Sequence, residues 1–344
     1  MKFLVIRLED LSGVLLATPL VRCLKQQLQL SEVHCLVNPE WSTVVETNPY
    51  VDKIHSWKNG SEFIEELERE QFDYIIDLQN NLQSRRIKNA LKVSSFSYDK
   101  LNFQRLVFTK LKWNVMPKHL HLADRFFASV KMFGVENDGK GPVYFIPKEH
   151  EVTEKDIPAS HHLGYIAIAI GASHFTKKLP VYKLQELCGA IDHPIILLGG
   201  AEEIREGEQI ASIDPIKVYN ACGKFSLHET ADLIRKAKLL VSHDNGWMHI
   251  AAAIKKPVIT VWGSTTPSLG ETPYYGENYL ANHAHPHDSV QVLKLWCRPC
   301  TTTGRRKCPQ GHFKCMKKIS TTEIIKQVNK RLTLHASMGH KGLI

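Results

Sequence analysis

A short segment in the second half of this 344-residue chain combines the residue types that hold a phosphate group. Asp244-Asn245-Gly246 follows the apolar run 239–242, and His249 stands three residues after the glycine. Glycine lets a ligand approach the backbone closely, and a helix predicted over 248–254 would offer free N–H groups and a positive dipole end to a diphosphate. The alternative is structural, with Asp244 capping this helix and His249 packed inside.

Two more turns of this kind follow apolar runs. Gly171-Ala172-Ser173 and Lys177 lie between the run 165–170 and a helix predicted to start just after Pro180. Small residues leave room for phosphate oxygens and a lysine supplies a compact positive charge, although an exposed loop with solvated lysines has the same composition. After the run 194–198, Glu203 or its neighbour Glu202 could accept hydrogen bonds from ribose hydroxyls.

The elements that must position these turns alternate between short apolar strands and amphipathic helices, which predicts parallel sheets with right-handed crossovers. A polar segment bounded by prolines, 147–158, separates two such series. It predicts two α/β domains, 1–150 and 160–320, followed by a terminal helix and tail over 321–344. In such proteins the ligand most often lies in the cleft, at the carboxyl ends of the strands. The predicted strands are 3–8, 33–37, 53–57, 74–78, 165–170, 194–198, 217–220, 239–242 and 258–262, and the predicted helices are 14–29, 41–47, 62–70, 83–92, 119–133, 181–191, 202–211, 227–237, 248–254 and 321–332.

The composition excludes several classes of protein. With 43% hydrophobic and 23% charged residues, the chain matches an ordinary globular protein and not a disordered one. Its apolar runs are much shorter than the roughly 18 residues of a membrane-spanning helix. The apolar start of the chain is too short for a signal peptide, so we expect a cytoplasmic protein.

Positive charge is concentrated near the carboxyl end. The formal net charge is +9, and residues 298–318 hold seven basic residues and no acidic one. This segment is either a solvated loop or a patch that attracts phosphate, anionic lipid or nucleic acid. Nucleic acid is the weakest candidate and we expect none as a partner, because Phe313 is the only aromatic residue among these cations.

The same segment contains four of the eight cysteines, with the spacing C-x2-C-x7-C-x6-C. In a cytosolic chain such a cluster indicates a structural metal site more than disulfides. The Cys-Arg-Pro-Cys turn would supply two thiolates to a tetrahedral zinc ion, and His312 is a spare ligand. The later pair lacks the C-x2-C spacing, so thiols without zinc are the alternative. The four candidate ligands are Cys297, Cys300, Cys308 and Cys315.

These turns, in this order and spacing, resemble the carboxyl-terminal half of the heptosyltransferase family, glycosyltransferase family 9. The shared features are a strand followed by D-x-G-x-x-H and a helix, the G-A-S…K turn, and the stretch 225–267. The opening strand and the segment 15–22 are similar to the family's first strand and helix. The cysteine-rich segment also resembles one found in many members, so the resemblance covers nearly the whole chain.

The resemblance implies a GT-B fold, α/β with two Rossmann-like domains facing a cleft, in which the second domain binds the nucleotide-sugar donor. It implies an inverting glycosyltransferase that uses no metal ion and transfers heptose from ADP-heptose to the phosphorylated or carboxylated inner core of lipopolysaccharide. Such a lipid acceptor allows peripheral association with the inner face of the cytoplasmic membrane. An anionic acceptor fits Arg85, Arg86 and Arg125 in the first half. The donor-binding residues implied are Ala172, Ser173, Lys177, Glu203, Phe225, Leu227, Asp244, Asn245, Gly246 and His249.

One position departs from the family pattern. The family usually has an aspartate, acting as general base, where this chain has Gly13. An inverting displacement needs a base within hydrogen-bonding reach of the attacking hydroxyl. Asp10 is the candidate, with Glu9 beside it, and a surface carboxylate is the alternative. The missing aspartate also leaves a second function open, that of a catalytically impaired homologue that binds nucleotide sugars.

Overall fold

The computed structural model describes residues 1–118 and 120–339 and contains two compact α/β units. The first unit comprises 1–102, 117–145 and 274–283, and the second comprises 103–116, 146–273 and the chain from 284 onwards. The sequence predicted continuous domains, but two short segments break this continuity. Residues 103–116 lie within the first domain in sequence but belong to the second unit, and residues 274–283 lie within the second domain in sequence but belong to the first unit. Each unit has its own parallel sheet, so the predicted pair of parallel α/β domains is confirmed.

The first unit is a five-stranded parallel sheet with the order β3-β2-β1-β4-β5. The central strand β1 is apolar and almost wholly buried, as expected for a parallel strand covered on both faces. The strands are β1 Lys2–Ile6, β2 Glu32–Val37, β3 Lys53–Ser56, β4 Tyr74–Asp77 and β5 Ser94–Ser97.

The helices of the first half of the chain are α1 Leu11–Gln27, α2 Thr43–Glu46, α3 Ser61–Arg69, α4 Leu82–Leu91, α5 Asn102–Leu111 and α6 Leu122–Phe126. Of these, α3 and α4 have the predicted lengths, each one residue earlier, whereas α2 and α6 are shorter than the sequence predicted. The first helix, α1, contains Pro19, which cannot donate to the carbonyl of Leu15; the hydroxyl of Thr18 donates to that carbonyl instead, at 2.7 Å.

The second unit is a six-stranded parallel sheet with the order β11-β10-β9-β6-β7-β8. The chain order reverses between β6 and β9, which is the switch point where open α/β sheets bind ligands. The strands are β6 Ile166–Ala169, β7 Ile195–Leu198, β8 Val218–Asn220, β9 Leu240–His243, β10 Val258–Trp262 and β11 His287–Gln291.

Seven helices follow among the described residues of the second half of the chain. The 3-10 turn Phe175–Lys177 precedes α7 and contains Lys177, and the 3-10 turn Ala201–Glu203 precedes α8 and contains Glu203. No helix among the described residues is long and apolar enough to cross a membrane. The helices are α7 Val181–Ala190, α8 Ile204–Ala211, α9 Leu227–Lys236, α10 Gly246–Ala253, α11 Glu277–Asn282, α12 Lys314–Lys317 and α13 Thr321–Gly339; α11 belongs to the first unit.

Several predicted boundaries are wrong for physical reasons. The helix predicted over 119–133 is α6 followed by two 3-10 turns, Phe127–Ser129 and Lys131–Phe133, and residue 119 lies outside the described part. The last helix continues to 339 and not 332; of the predicted tail, only 340–344 lie outside the described residues. The sequence missed β5 and β11, which are polar because they are edge strands and need no continuous apolar run.

Candidate functional site

The loops after β6 and β9 bring a buried ion pair to the carboxyl edge of the second sheet. The Nζ of Lys177 lies 2.8 Å from Oδ2 of Asp244, and the two residues are only 8% and 7% exposed. The two residues are 67 positions apart in the sequence but come together because β6 and β9 are neighbours in the sheet. A lysine buried with a single carboxylate is a positive charge held in place with little motion.

Hydroxyl groups after β10 hold both partners of this pair. Thr265 donates its hydroxyl hydrogen bond to Oδ2 of Asp244 at 2.7 Å, on the same oxygen that Lys177 contacts. The hydroxyls of Ser264 and Thr176 lie 2.9 Å apart, which fixes the 3-10 turn that ends at Lys177. The sequence analysis missed these residues, although a Gly-Ser-Thr-Thr run directly after an apolar strand was a usable signal.

Asn245, and not Asp244, caps the helix that follows β9. Its Oδ1 accepts a hydrogen bond from the backbone N–H of Trp247 at 3.0 Å, and its Nδ2 donates to the carbonyl of Gly171 at 2.8 Å. The helix therefore begins at Gly246, two residues before the predicted start. The structural alternative is wrong about Asp244, but His249 is buried in the first turn of α10, as that alternative expected.

His243, at the end of β9, ties the two loops together and was not singled out from the sequence. Its Nε2 accepts from the backbone N–H of Leu179 at 3.0 Å, and its Nδ1 faces the carbonyl of Gly171 at 3.3 Å. A ring that accepts at Nε2 carries its proton on Nδ1 and is neutral. Burial lowers the pKa of His243 to about 4, so the ring stays neutral at physiological pH and acts as a fixed connector.

Glu203 lies against two glycines that could not be larger. A Cβ on Gly171 would stand 2.9 Å from the Glu203 carboxyl carbon, and one on Gly199 would stand 2.8 Å from its Cβ. The carboxylate accepts from the backbone N–H of Gly200 and from Nζ of Lys178, at 3.0 and 3.1 Å. Of the two glutamates left open by the sequence, Glu203 is buried at the sheet edge and Glu202 is exposed.

The other predicted donor residues surround these groups on the same unit. Ala172 is half-buried and Ser173 is exposed in the loop after β6. Phe225 and Leu227 are both half-buried on either side of Ser226, which caps α9. The first N–H groups of any helix have no carbonyl partner within the helix, and in α10 Asn245 accepts from the N–H of Trp247. This edge of the sheet therefore offers a buried lysine, backbone donors and a half-buried aromatic ring, a set suited to a nucleoside diphosphate.

In the first unit, the space next to Gly13 is filled by an arginine. A Cβ built on Gly13 would lie 2.0 Å from Nε and 2.1 Å from a terminal nitrogen of Arg7. The Arg7 guanidinium donates to the carbonyl of Leu78 at 2.9 Å and to Oδ2 of Asp10 at 3.1 Å. A side chain at position 13 thus requires Arg7 to move from a buried, hydrogen-bonded place.

Asp10 is the N-cap of α1. Its Oδ1 accepts from the backbone N–H of Gly13 at 2.6 Å, while Arg7 holds the other oxygen. Its side chain is nevertheless 49% exposed, so it can meet a ligand. Structurally the residue is therefore both a helix cap and an ion-pair partner.

The three predicted acceptor-binding arginines differ in exposure. Arg85 and Arg86 are exposed on α4. Arg125 is buried: its guanidinium donates to the carbonyl of Asp99 and lies 5.4 Å from the centre of the Tyr98 ring. Arg85 and Arg86 are therefore exposed to solvent, whereas Arg125 is buried inside the unit. The sequence does not reveal this difference, because all three arginines lie in segments predicted to be helical.

The four clustered cysteines lie in the second unit, but no three of their sulfur atoms lie within 4.8 Å of one another. Sγ of Cys297 lies 3.8 Å from Nε2 of His312, and burial together with the neighbouring thiols raises the pKa of Cys300. Among the residues whose side chains are described, however, the one trio of ligand-type side chains with its ligand atoms all within 4.8 Å is His34, His55 and Glu70 in the first unit. There Nζ of Lys2 lies 2.5 Å from the Glu70 carboxylate, and hydrogen bonds from Lys2 and Lys53 lower the pKa of Glu70 to about 2. The carboxylate is therefore ionised, and its charge is already balanced by two lysines.

Two units, each with its own parallel α/β sheet, are the architecture of the GT-B class of glycosyltransferases. The family model for Glycosyltransferase family 9 (heptosyltransferase) matches residues 61–298, and the chain belongs to this family.

Sequence and structure comparisons agree with this membership. The lipopolysaccharide heptosyltransferase 1 of Campylobacter coli is 22% identical over 291 residues, which cover 77% of this chain and 84% of that protein. A solved glycosyltransferase family 9 structure from Veillonella parvula aligns with a TM-score of 0.75 at 18% identity, covering 96% of this chain and 97% of that one. The E. coli ADP-heptose lps heptosyltransferase II aligns with a TM-score of 0.73 at 15% identity, covering 98% and 100%. These structures share the fold.

Proposed function

We propose that this glycosyltransferase transfers heptose from ADP-heptose to the inner core of lipopolysaccharide, with inversion and without a metal ion. The proposal is supported by the relatives, which are named as lipopolysaccharide and lipooligosaccharide heptosyltransferases, and by a structural neighbour named for ADP-heptose. The observation that carries it is the buried Lys177–Asp244 pair beside the start of α10, since this is where a leaving diphosphate needs positive charge.

In the proposed reaction, a hydroxyl of the acceptor attacks the anomeric carbon of the sugar from the face opposite the diphosphate. The bond from that carbon to the diphosphate oxygen breaks, and ADP leaves with the electron pair. Lys177 and the N–H groups at the start of α10 stabilise the charge that develops on the leaving oxygen. These groups supply fixed positive charge from the protein itself, which is why the proposal needs no metal ion.

The remaining donor contacts are proposed from the family resemblance and from the common location of these residues in the second unit. Ala172 and Ser173 would face phosphate oxygens, with Asn245, Gly246 and His249 on the other side of the same groups. Glu203 would accept from the ribose hydroxyls, since its carboxylate is fixed at the sheet edge by Gly200 and Lys178. Phe225 and Leu227 would contact the base. Arg85 and Arg86 would attract the anionic acceptor.

The proton released by the attacking hydroxyl needs an acceptor, and we assign that role to Asp10. Its carboxylate is 49% exposed, and its two protein donors still leave lone pairs on both oxygens. Gly13 cannot serve, and the space a side chain there would need belongs to Arg7.

A second function is favoured by that same contact. If Arg7 fills the space of the family's aspartate and no other residue serves as the base, the protein binds nucleotide sugars but transfers the sugar poorly or not at all. The two functions differ in one measurable respect: both require ADP-heptose binding, but only the first requires turnover.

The experiment is a transfer assay with purified protein, ADP-heptose and a lipopolysaccharide inner-core acceptor, with the product's anomeric configuration read by NMR. Transfer with inverted configuration, unchanged after treatment with a chelator, supports the first function. Calorimetric binding of ADP-heptose without turnover against a panel of core acceptors supports the second. Absence of both would refute the proposed donor.

Two further points complete the proposal. A structural zinc ion is proposed at Cys297, Cys300, Cys308 and Cys315, on the chemistry of the four thiols and not on closed geometry. The proposed location is the cytoplasm, at the inner face of the membrane that carries the lipid acceptor.

A further inference from the structure

The second unit exposes large apolar side chains along one helix and the loop that follows it. On α5, Phe103, Leu106 and Leu111 point outwards, while Phe108 is buried on the other side. In the following loop Trp113 is 69% exposed, nearly as much as Phe103 at 72%. A surface helix normally exposes its polar face to solvent, whereas α5 exposes an apolar face. Contiguous exposed apolar side chains on a stable protein mark a surface that something else covers.

A second group of exposed apolar residues belongs to the same unit and is joined to the first. Leu293 and Trp296 are 73% and 68% exposed just before Cys297. The Nζ of Lys112, in the loop after α5, donates to the carbonyl of Pro299 at 2.7 Å. This contact brings the loop after α5 to the start of the cysteine-rich segment, so the two apolar groups belong to one region, which we call the apolar–basic surface.

The two chain segments that form this surface carry basic and no acidic residues, although Glu271, from elsewhere in the chain, pairs with Arg105 on α5. From 100 to 123 the chain has no acidic residue, and neither has 298–318. Of the seven cations counted in 298–318, Arg298 is structural, because its guanidinium donates to the carbonyls of Gly263, Val292 and Thr265. The other six are exposed, and no ion pair joins any of them to an acid in the described part of the chain: Arg305, Arg306, Lys307, Lys314, Lys317 and Lys318.

We propose that the apolar–basic surface docks on an anionic lipid bilayer, with Phe103 and Trp113 inserted among the headgroups and the six cations facing lipid phosphates. Tryptophan and phenylalanine suit the boundary between water and acyl chains, because their rings are apolar and the indole N–H can still meet a polar group. Apolar insertion and a basic cluster are the two contributions that together give stable peripheral binding.

A protein partner would fit the apolar residues but would not need six unpaired cations. The inference rests on the proposed function only for its purpose, since a membrane-bound enzyme meets a lipid-linked acceptor in two dimensions. The docking itself can be measured without donor, acceptor or turnover.

The test is co-sedimentation of the purified chain with vesicles of phosphatidylethanolamine and phosphatidylglycerol in equal parts, with phosphatidylcholine vesicles as the neutral reference. We expect binding to the anionic vesicles that weakens with salt. The double variant Phe103→Ser/Trp113→Ser should bind about tenfold or more weakly, because two apolar side chains no longer insert. Lys317→Glu/Lys318→Glu should weaken binding to anionic vesicles and leave the neutral background unchanged.

The matched control is Leu163→Ser, which removes a side chain that is 97% exposed on the same unit but outside the surface. Its vesicle binding should equal that of the parent. Lipids brominated on their acyl chains should quench tryptophan fluorescence in the parent, and less in Trp113→Phe. Absence of vesicle binding, or equal losses in the control and the double variant, would overturn the proposal.

Activity separates this inference from the proposed function. With a deacylated, water-soluble acceptor the Phe103→Ser/Trp113→Ser variant should turn over at the parental rate, and with vesicle-borne acceptor its KM should rise. Vesicle binding by a chain that transfers no sugar would support the surface and refute the enzyme. Parental activity on both acceptors in the double variant would refute the surface alone.

Discussion

The turns after β1 and after β9 both lead from the central part of a parallel sheet into a helix, and both contain an aspartate paired with a cation. After β9, Asp244 is buried, pairs with Lys177 and leaves the capping of α10 to Asn245. After β1, Asp10 is half-exposed, pairs with Arg7 and itself caps α1. The first pair is a fixed internal charge arrangement, while the second leaves a carboxylate facing solvent.

The difference shows that an aspartate in a strand-to-helix turn has different roles depending on which residue caps the helix. Where a separate residue caps the helix, the aspartate is available to orient a lysine towards a bound anion. Where the aspartate must cap as well, its position is set by the helix, and only its remaining lone pairs can serve chemistry. The comparison predicts that substitutions after β9 damage binding and stability together, and that substitutions after β1 can separate them.

The largest effect is expected from Asp244→Ala. The substitution leaves Lys177 buried without its carboxylate, which typically costs about 3–5 kcal/mol when one member of a buried pair is removed. We expect a lower denaturant midpoint and loss of measurable ADP binding by calorimetry. Arg69→Ala, which removes an exposed ion pair with Glu65 on α3, is the control. Near-parental stability in Asp244→Ala would show that the pair after β9 is no more demanding than a surface pair.

Asp10 can be tested with two substitutions that separate its roles. Asparagine caps helices as well as aspartate but cannot take up a proton, whereas alanine does neither. We expect both Asp10→Asn and Asp10→Ala to lose transfer by about a hundredfold or more. Only the alanine variant should also lose stability, by about 1 kcal/mol. Full transfer by Asp10→Asn would remove Asp10 as the base.

Gly13→Asp tests whether the aspartate typical of the family can be restored. Its Cβ would meet the Arg7 guanidinium at 2.0 Å, so we expect destabilisation by about 1–3 kcal/mol and no gain in transfer. In an Arg7→Ala background the same substitution should cost less, which a double-mutant cycle measures from denaturant unfolding. Additive effects of the two substitutions would mean that they do not share this space.

The pH dependence of stability should reflect the second unit. Burial lowers the pKa of His243 and of His287 to about 4, below the ordinary 6.5 that they regain on unfolding. As pH falls below 6.5, the unfolded chain binds protons that the folded chain does not. The free energy of unfolding should therefore fall by up to about 1.4 kcal/mol per pH unit for each ring until both states are protonated near pH 4. A shallower slope in His243→Gln checks this assignment, and an unchanged slope contradicts it.

The smallest effect on transfer is expected from the cysteine-rich segment. If zinc binds there, metal analysis of the purified protein should find about one zinc per chain, and Cys297→Ser should remove it. The segment contacts the turn that holds Lys177 through groups such as the Arg305 N–H, which donates to the Thr176 hydroxyl, so transfer should fall, but less than in the variants above, while thermal stability falls. Protein free of zinc with full stability would favour reduced thiols.

The sequence was sufficient for features that are local along the chain. A buried parallel strand followed by small residues and a charged residue forms a contiguous sequence pattern, which is why the loops after β6 and β9 were predicted as sites. Features made through space were not visible: Arg7 filling the place beside Gly13, Thr265 on Asp244, and the burial of Arg125. The polar edge strands β5 and β11 and the outward apolar face of α5 were missed because they reverse the usual hydrophobic pattern.

The central claim is that the start of α10 holds the diphosphate of a nucleotide sugar. The most direct measurement is a crystal structure of the chain with ADP. We expect diphosphate oxygens within hydrogen-bonding distance of the Gly246 amide and of Lys177, with the adenine beside Phe225. A nucleotide bound elsewhere, with Lys177, Gly246 and His249 making no contact to it, would show that the start of α10 is not the donor site.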